Sequence, residues 1–215
     1  MAQIFPRWTN SLPLLVAVTI IVVASAVVGF FWYYGSPSYT DVGYRPKQPV
    51  AYSHKLHAGD LDIDCRYCHT TVEVSAKAAI PPTQTCMNCH SLVAVDSASL
   101  LPIRESWATG KPMEWVRVHK LADYAYFDHR SHVTRGVGCV SCHGRVDEME
   151  VVTQQQPLSM GWCLNCHRNP DMHLRPLDQI TNMNWQANED HSGMAAHLKQ
   201  GLKIAPSEDC STCHR

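Results

Sequence analysis

Five times in this 215-residue chain, two cysteines flank two residues and a histidine follows at once. The segments are Cys65-Arg66-Tyr67-Cys68-His69, Cys86-Met87-Asn88-Cys89-His90, Cys139-Val140-Ser141-Cys142-His143, Cys163-Leu164-Asn165-Cys166-His167 and Cys210-Ser211-Thr212-Cys213-His214, and they use all ten cysteines. Two thiols at this spacing can add to the two vinyl groups of a haem, and the histidine after the second thiol is then held beneath the iron as its proximal ligand. Zinc knuckles and disulfides are the alternatives. Zinc sites pair two Cys-x-x-Cys units, or combine them with distant histidines, and give no reason for a histidine after every second cysteine. Disulfides closing such short loops would do little to staple a fold. The motifs therefore point to five covalently attached haem c groups. Because thioether attachment is carried out on the outer side of the bacterial cytoplasmic membrane, a periplasmic domain is expected.

Eight histidines remain: His54, His57, His119, His129, His132, His173, His191 and His197. Tyr52-Ser53-His54-Lys55-Leu56-His57 and Phe127-Asp128-His129-Arg130-Ser131-His132 share the form aromatic-x-His-basic-x-His, and each precedes two of the haem motifs. This predicts a duplicated two-haem module with a fifth haem appended at the C-terminal end. Histidines three apart lie on one side of a helical turn, so each can reach a different iron. His54, His57, His129 and His132 are accordingly the expected distal ligands, and His119, in Trp115-Val116-Arg117-Val118-His119, completes a set of five. His173, His191 and His197 have polar surroundings and are expected to be solvated or to face propionates. Met149 and Met160 flank the approach to Cys163. A thioether ligand raises a haem's potential, whereas methionine more often simply packs, so one His/Met haem using Met160 or Met149 stays an open alternative.

The elements that must hold these residues are few. Five haems in a domain of about 165 residues leave little chain for regular structure, and porphyrin faces supply most of the apolar area to be buried. The expected fold is mainly α with little regular structure, built of short helices carrying the motifs, for instance around 160–168, with long loops between them. From Leu14 to Tyr34 no residue is charged, which is enough at about 1.5 Å per residue to cross a bilayer core. A cleaved signal peptide is the alternative, since Ala24-Ser25-Ala26 has the small-x-small form. The apolar run nevertheless continues to Trp32, Tyr33 and Tyr34, an interfacial aromatic belt. The expected organisation is thus a short cytoplasmic N-terminus (1–13), a transmembrane helix (14–34), a Pro- and Gly-punctuated linker (35–49) and a periplasmic pentahaem domain (50–215). Arg7 on the short side favours a cytoplasmic N-terminus.

Eighteen basic and 19 acidic residues give a net charge of −1, with no basic footprint for nucleic acid. Each haem adds two propionates, so the loaded domain is more acidic than its sequence and better suited to a basic or polar docking partner than to an acidic one.

The anchor, the five motifs, the two His-x-x-His units, the segment from Tyr126-Phe127-Asp128-His129 to Cys142-His143-Gly144, and Ser159-Met160-Gly161-Trp162-Cys163 together resemble the pentahaem cytochrome subunit of alternative complex III. The individual elements are shared with class III multihaem cytochromes; their order and the anchor give the specificity. The resemblance implies a complex that oxidises membrane quinol and passes electrons to a periplasmic acceptor or an oxidase. It also implies partners: an iron–sulfur subunit of molybdopterin-oxidoreductase type, polytopic membrane subunits holding the quinol site, and a mono-haem cytochrome c. From the residues alone the expectation is a membrane-tethered relay of single electrons with no substrate site of its own. The rival readings are a stand-alone membrane-anchored quinol dehydrogenase feeding a reductase and a multihaem oxyanion reductase. The reductase needs an iron with an open position, and no motif here has an altered proximal residue.

Overall fold

A computed structural model describes residues 4–187 and 190–214; residues 1–3 of the expected N-terminal segment and Arg215 of the expected haem domain lie outside the described residues. Among the described residues ten α-helices follow one another: α1 (Leu12–Tyr34), α2 (Pro37–Thr40), α3 (Cys65–Cys68), α4 (Thr83–His90), α5 (Leu101–Thr109), α6 (His129–Val133), α7 (Val140–His143), α8 (Met160–Arg168), α9 (His191–Gly201) and α10 (Cys210–Cys213). Short 3-10 turns and one π-helical turn (Lys55–Asp60) join them, and among the described residues the only β pairing is an isolated bridge between Val137 and Leu174. The chain divides into two compact units, one up to Asp41 and one from Val42 onward.

In the first unit, α1 is apolar all round and no part of its most hydrophobic window is buried. With the preceding turn from Arg7 it forms one helix of 28 residues with a mean hydropathy of 2.8 in that window, long and apolar enough to cross a membrane. Pro13 is tolerated because the first turn has no intrahelical acceptor for its missing N–H. The chain after Tyr34 is less loose than its prolines suggest. Pro37 starts the single turn α2, which brings the Tyr39 ring to 4.6 Å from that of Tyr34 and 5.7 Å from that of Tyr33. The expected linker therefore begins with a helical turn, since a proline at the first position of a helix is pre-set for it.

In the second unit most helices start where a short polar side chain can cap them. Asp64, Asp128, Ser159 and Asp190 accept hydrogen bonds from the N–H groups of Arg66, Ser131, Trp162 and Gly193, so each fixes the first turn of a helix that carries a candidate ligand or a further histidine. Left-handed Gly110 ends α5. The protein-only core is small. Among the described residues, Val50, Ile103, Val133, Leu174, Ile180 and Ala195 are the buried apolar ones, and Leu174 is the one large side chain wholly enclosed. That is too little apolar burial for a unit of this size, as expected of a domain whose remaining interior is porphyrin.

One backbone junction shows how closely the second unit is tied. Gly136, at φ +83°, accepts from Arg175 N at 2.8 Å, and a Cβ there would sit 2.7 Å from the Arg175 carbonyl oxygen. A Cβ on Gly138 would collide with the Arg175 side chain. The Arg175 guanidinium, 5% exposed, lies 4.9 Å over the Trp185 ring and donates to the Asn182 carbonyl at 3.0 Å. A buried cation therefore stands directly behind the third Cys-x-x-Cys-His motif.

Candidate haem-binding sites

Each motif is wound as helical turn. In the first, third and fifth, the backbone N–H of the histidine donates to the carbonyl of the first cysteine: His69 to Cys65 at 2.9 Å, His143 to Cys139 at 3.0 Å and His214 to Cys210 at 2.8 Å. That bond curls the two thiols and the imidazole onto one side, the arrangement double attachment and ligation of one haem require. The second and fourth motifs form the C-terminal turns of α4 and α8. The helix expected around 160–168 is observed with those ends.

Four of the five motif histidines are oriented by a backbone carbonyl. Nδ1–H of His69 donates to Ala79 at 2.7 Å, His90 to Val93 at 3.1 Å, His167 to Ser207 at 2.6 Å and His214 to Tyr124 at 3.1 Å. Holding Nδ1 this way fixes the tautomer and turns Nε2 outward as the ligating atom. The carbonyls lie between 3 and 90 residues away in sequence, so only the folded chain brings most of them in.

The expected distal histidines are placed in the same fashion. Nδ1–H of His57 donates to the Ser53 carbonyl, His132 to Asp128, both at 2.8 Å, and His129 to Ala76 at 3.0 Å. Two imidazoles bound to one iron at about 2 Å each have ring centres roughly 6.3 Å apart. Three pairs have that separation: His57 and His90 at 6.2 Å, His129 and His143 at 6.4 Å, and His132 and His167 at 6.1 Å. Their interplanar angles are 66°, 12° and 40°. The two aromatic-x-His-basic-x-His units are nearly superimposable in ring geometry. Tyr52 lies edge-on to His54 at 4.8 Å and stacks on His57 at 4.5 Å; Phe127 lies edge-on to His129 at 4.8 Å and stacks on His132 at 4.5 Å. The aromatic residue thus braces both histidines of its unit.

The remaining candidates sit differently. His54 neighbours His69, and burial, followed by the neighbouring imidazoles, lowers it to about 4. His143 is lowered to about 3, first by burial and then by His119, His129, His69 and His54, so these imidazoles form one dense group around the first and third motifs. His119 approaches His143 edge-on at 4.4 Å, too close for an iron to lie between those two rings. His54 Nδ1, His119 Nε2 and Arg175 Nε are buried without a hydrogen-bond partner, which fits a place where a ligated iron and propionates complete the polar contacts. Met160 is 61% exposed at the start of α8, and Met149 lends its carbonyl to the Lys55 N–H. Of the histidines expected to be solvated or to face propionates, His197 is exposed, and His191 and His173 are half-buried. His191 packs beside Trp185 and its Nε2 meets the Leu174 carbonyl at 3.2 Å, because α9 folds back on that buried strand-like segment.

All ten thiols are unpaired, and among the described residues no three His, Cys, Asp or Glu side chains converge as a bare metal ion requires. A haem iron needs only two protein ligands, which the histidine pairs provide. Tyr52 and the thiols of Cys68, Cys86, Cys142, Cys163 and Cys166 are raised foremost by burial, Cys142 to about 12. Such thiols face an apolar interior.

Two likenesses accord with this geometry. The chain is 26% identical over 187 residues, covering 80% of this chain and 78% of the other, to the multihaem cytochrome c subunit of menaquinone reductase from Nitratidesulfovibrio vulgaris. Residues 125–215, which hold the Phe127 unit and the last three motifs, match the family of cytochrome c7 and related cytochrome c.

Proposed function

We propose that this chain is the electron-relay subunit of a membrane quinone-linked oxidoreductase, carrying five c-type haems on the outer side of the cytoplasmic membrane behind a single transmembrane anchor. The observation that carries the reading is the set of three imidazole pairs at about the spacing of a shared iron, hung on two equivalent aromatic-x-His-basic-x-His units. His69, His90, His143, His167 and His214 are the proximal ligands. His57, His129 and His132 are distal to His90, His143 and His167, and the equivalence of the two units assigns His54 to His69. His119 stands in the group around the first and third motifs, which leaves Met149 and Met160 as the named candidates for the distal position opposite His214.

In this reading the bound haems supply the one-electron chemistry. The chain's own groups orient it: carbonyls hold the imidazoles in the ligating tautomer, Tyr52 and Phe127 fix their planes, and the apolar surroundings keep water from the iron faces. Two ligands on each iron leave no position for a substrate, which disfavours the oxyanion reductase. Likeness to a menaquinone reductase subunit supports the quinone link, and the order of motifs, resembling alternative complex III, supports quinol as donor with iron–sulfur, polytopic and mono-haem cytochrome partners. The relative's place in a menaquinone reductase favours a second reading, electron flow toward quinone.

The test is the purified membrane complex set beside the domain freed of residues 1–35 behind a cleavable signal. The expected result is haem reduction by quinol in the complex, with the free domain exchanging electrons with soluble carriers but not with membrane quinol. Quinol oxidation by the free domain at the native rate would overturn the relay assignment. Reduction of quinone by a reduced soluble carrier, without the reverse reaction, would select the second reading.

A further inference from the structure

Contacts between the motifs do not follow their order in sequence. The second motif touches the first: Asn88 Nδ2 donates to the Tyr67 hydroxyl at 3.1 Å, and the Cys86 and Cys68 thiols are electrostatic neighbours. The first motif touches the third. Thr181 donates to Asp64 at 2.8 Å while the adjacent Ile180 carbonyl accepts from Cys139 N at 3.2 Å, so one dipeptide clasps both motifs. The Cys65 and Cys139 thiols lie against each other, and His129, which faces His143, donates both its backbone N–H and its Nδ1–H to the Ala76 carbonyl just beyond the first motif. The third motif meets the fourth through α6, where His129 and His132 sit three apart facing His143 and His167, and Cys142 neighbours Cys166 and Cys163. The fourth meets the fifth: Ser207 accepts from His167 at 2.6 Å, Arg168 pairs with Glu208 at 2.8 Å, and Cys163 neighbours Cys213.

Resting on the five-haem reading, we propose that the haems form one unbranched row in the order second, first, third, fourth, fifth, so that the second and fifth motifs are the two ports at which redox partner proteins dock. An independent observation marks the same two ends. Cys89 and Cys210 are the exposed members of the ten cysteines, and they belong to the second and fifth motifs; the other eight are partly covered. One electron taken from a one-electron donor protein at one port leaves to a one-electron acceptor protein at the other, the donor oxidised and the acceptor reduced by one. The row also explains the duplication: each two-haem module contributes one interior haem next to the other module, the first and the third, and the join between modules is the centre of the wire.

Iron positions in an experimental structure of the loaded, full-length protein test this directly. The expected result is five irons in which the one bound by His69 has those of His90 and His143 as nearest neighbours, that of His167 lies between those of His143 and His214, and the irons of His90 and His214 are farthest apart. Five irons with His90 nearest His167 or His214, or in a branched cluster, would overturn the order while leaving the five-haem reading intact. Fewer than five irons would fail that reading and the order with it.

Discussion

Replacing His132 with alanine isolates one iron site. The imidazole is 6.1 Å from that of His167, stacks on Phe127 at 4.5 Å and 29°, and donates Nδ1–H to the Asp128 carbonyl. Removing it takes away the stack, about 0.5–1.5 kcal/mol, and one hydrogen bond, about 1 kcal/mol, before any iron bond is counted. In the five-haem reading, a holoprotein pinned by ten thioethers tolerates a loss of that size. The spectroscopic effect is larger in proportion: one haem of five goes from six- to five-coordinate. Integrated electron paramagnetic resonance of the fully oxidised protein should show about one fifth of the low-spin ferric intensity replaced by a high-spin signal. The component lost should be the one whose imidazole planes are inclined at 40°, distinct from the near-parallel His129/His143 pair at 12°. Added imidazole should restore it, and His197→Ala, at an exposed position, should leave the spectrum unchanged. A folded His132→Ala protein with undiminished low-spin intensity would refute the assignment of His132 and, by the equivalence of the two units, that of His57.

The other expectations are simpler to check. Intact-mass spectrometry should give five haem additions, and each double Cys→Ala replacement within one motif should remove one. Gly136→Ala places a side chain at φ +83° and 2.7 Å from the Arg175 carbonyl oxygen; the left-handed conformation alone costs about 1–2 kcal/mol, so thermal unfolding of the holoprotein should shift down by that amount or more. Asp64 is held at about 2, first by its hydrogen bonds with the Arg66 side chain, against an ordinary 3.8. Its folded value is depressed, so its stabilisation is complete above about pH 4 and disappears as pH falls toward 2; the acid limb of a stability profile should be flatter in Asp64→Asn, and an unchanged limb would show that the pairing is only superficial.

Much of the chemistry was legible because it is local. Five residues suffice to specify a motif, and a short helix carrying the fourth motif was expected around 160–168, where α8 lies at Met160–Arg168. The apolar run that became α1 and the mainly helical build were equally plain. Pairings were not legible. His129 is oriented by a carbonyl 53 residues earlier and His214 by one 90 residues earlier, separations on which periodicity is silent. Polar neighbours in sequence suggested that His191 is solvated or faces a propionate, and that it packs against Trp185 and Leu174 through the fold of α9 was not legible there. Arg175 escaped notice altogether: nothing nearby in the chain distinguishes a guanidinium destined for burial behind Cys139 from an ordinary surface arginine. The aromatic residue leading each histidine unit was visible as a pattern, but its service as a brace for both rings required coordinates.

The small set of buried apolar side chains has a consequence for biogenesis. Six modest residues are little to hold this unit together against chain entropy, so in the five-haem reading the polypeptide is expected to stay extended until its cofactors are bonded to it. That suits transport through a narrow translocon and keeps ten thiols within reach of the attachment machinery. In that reading each missed thioether would leave a persistent opening to proteases, so incompletely matured chains would be degraded rather than assembled as broken wires.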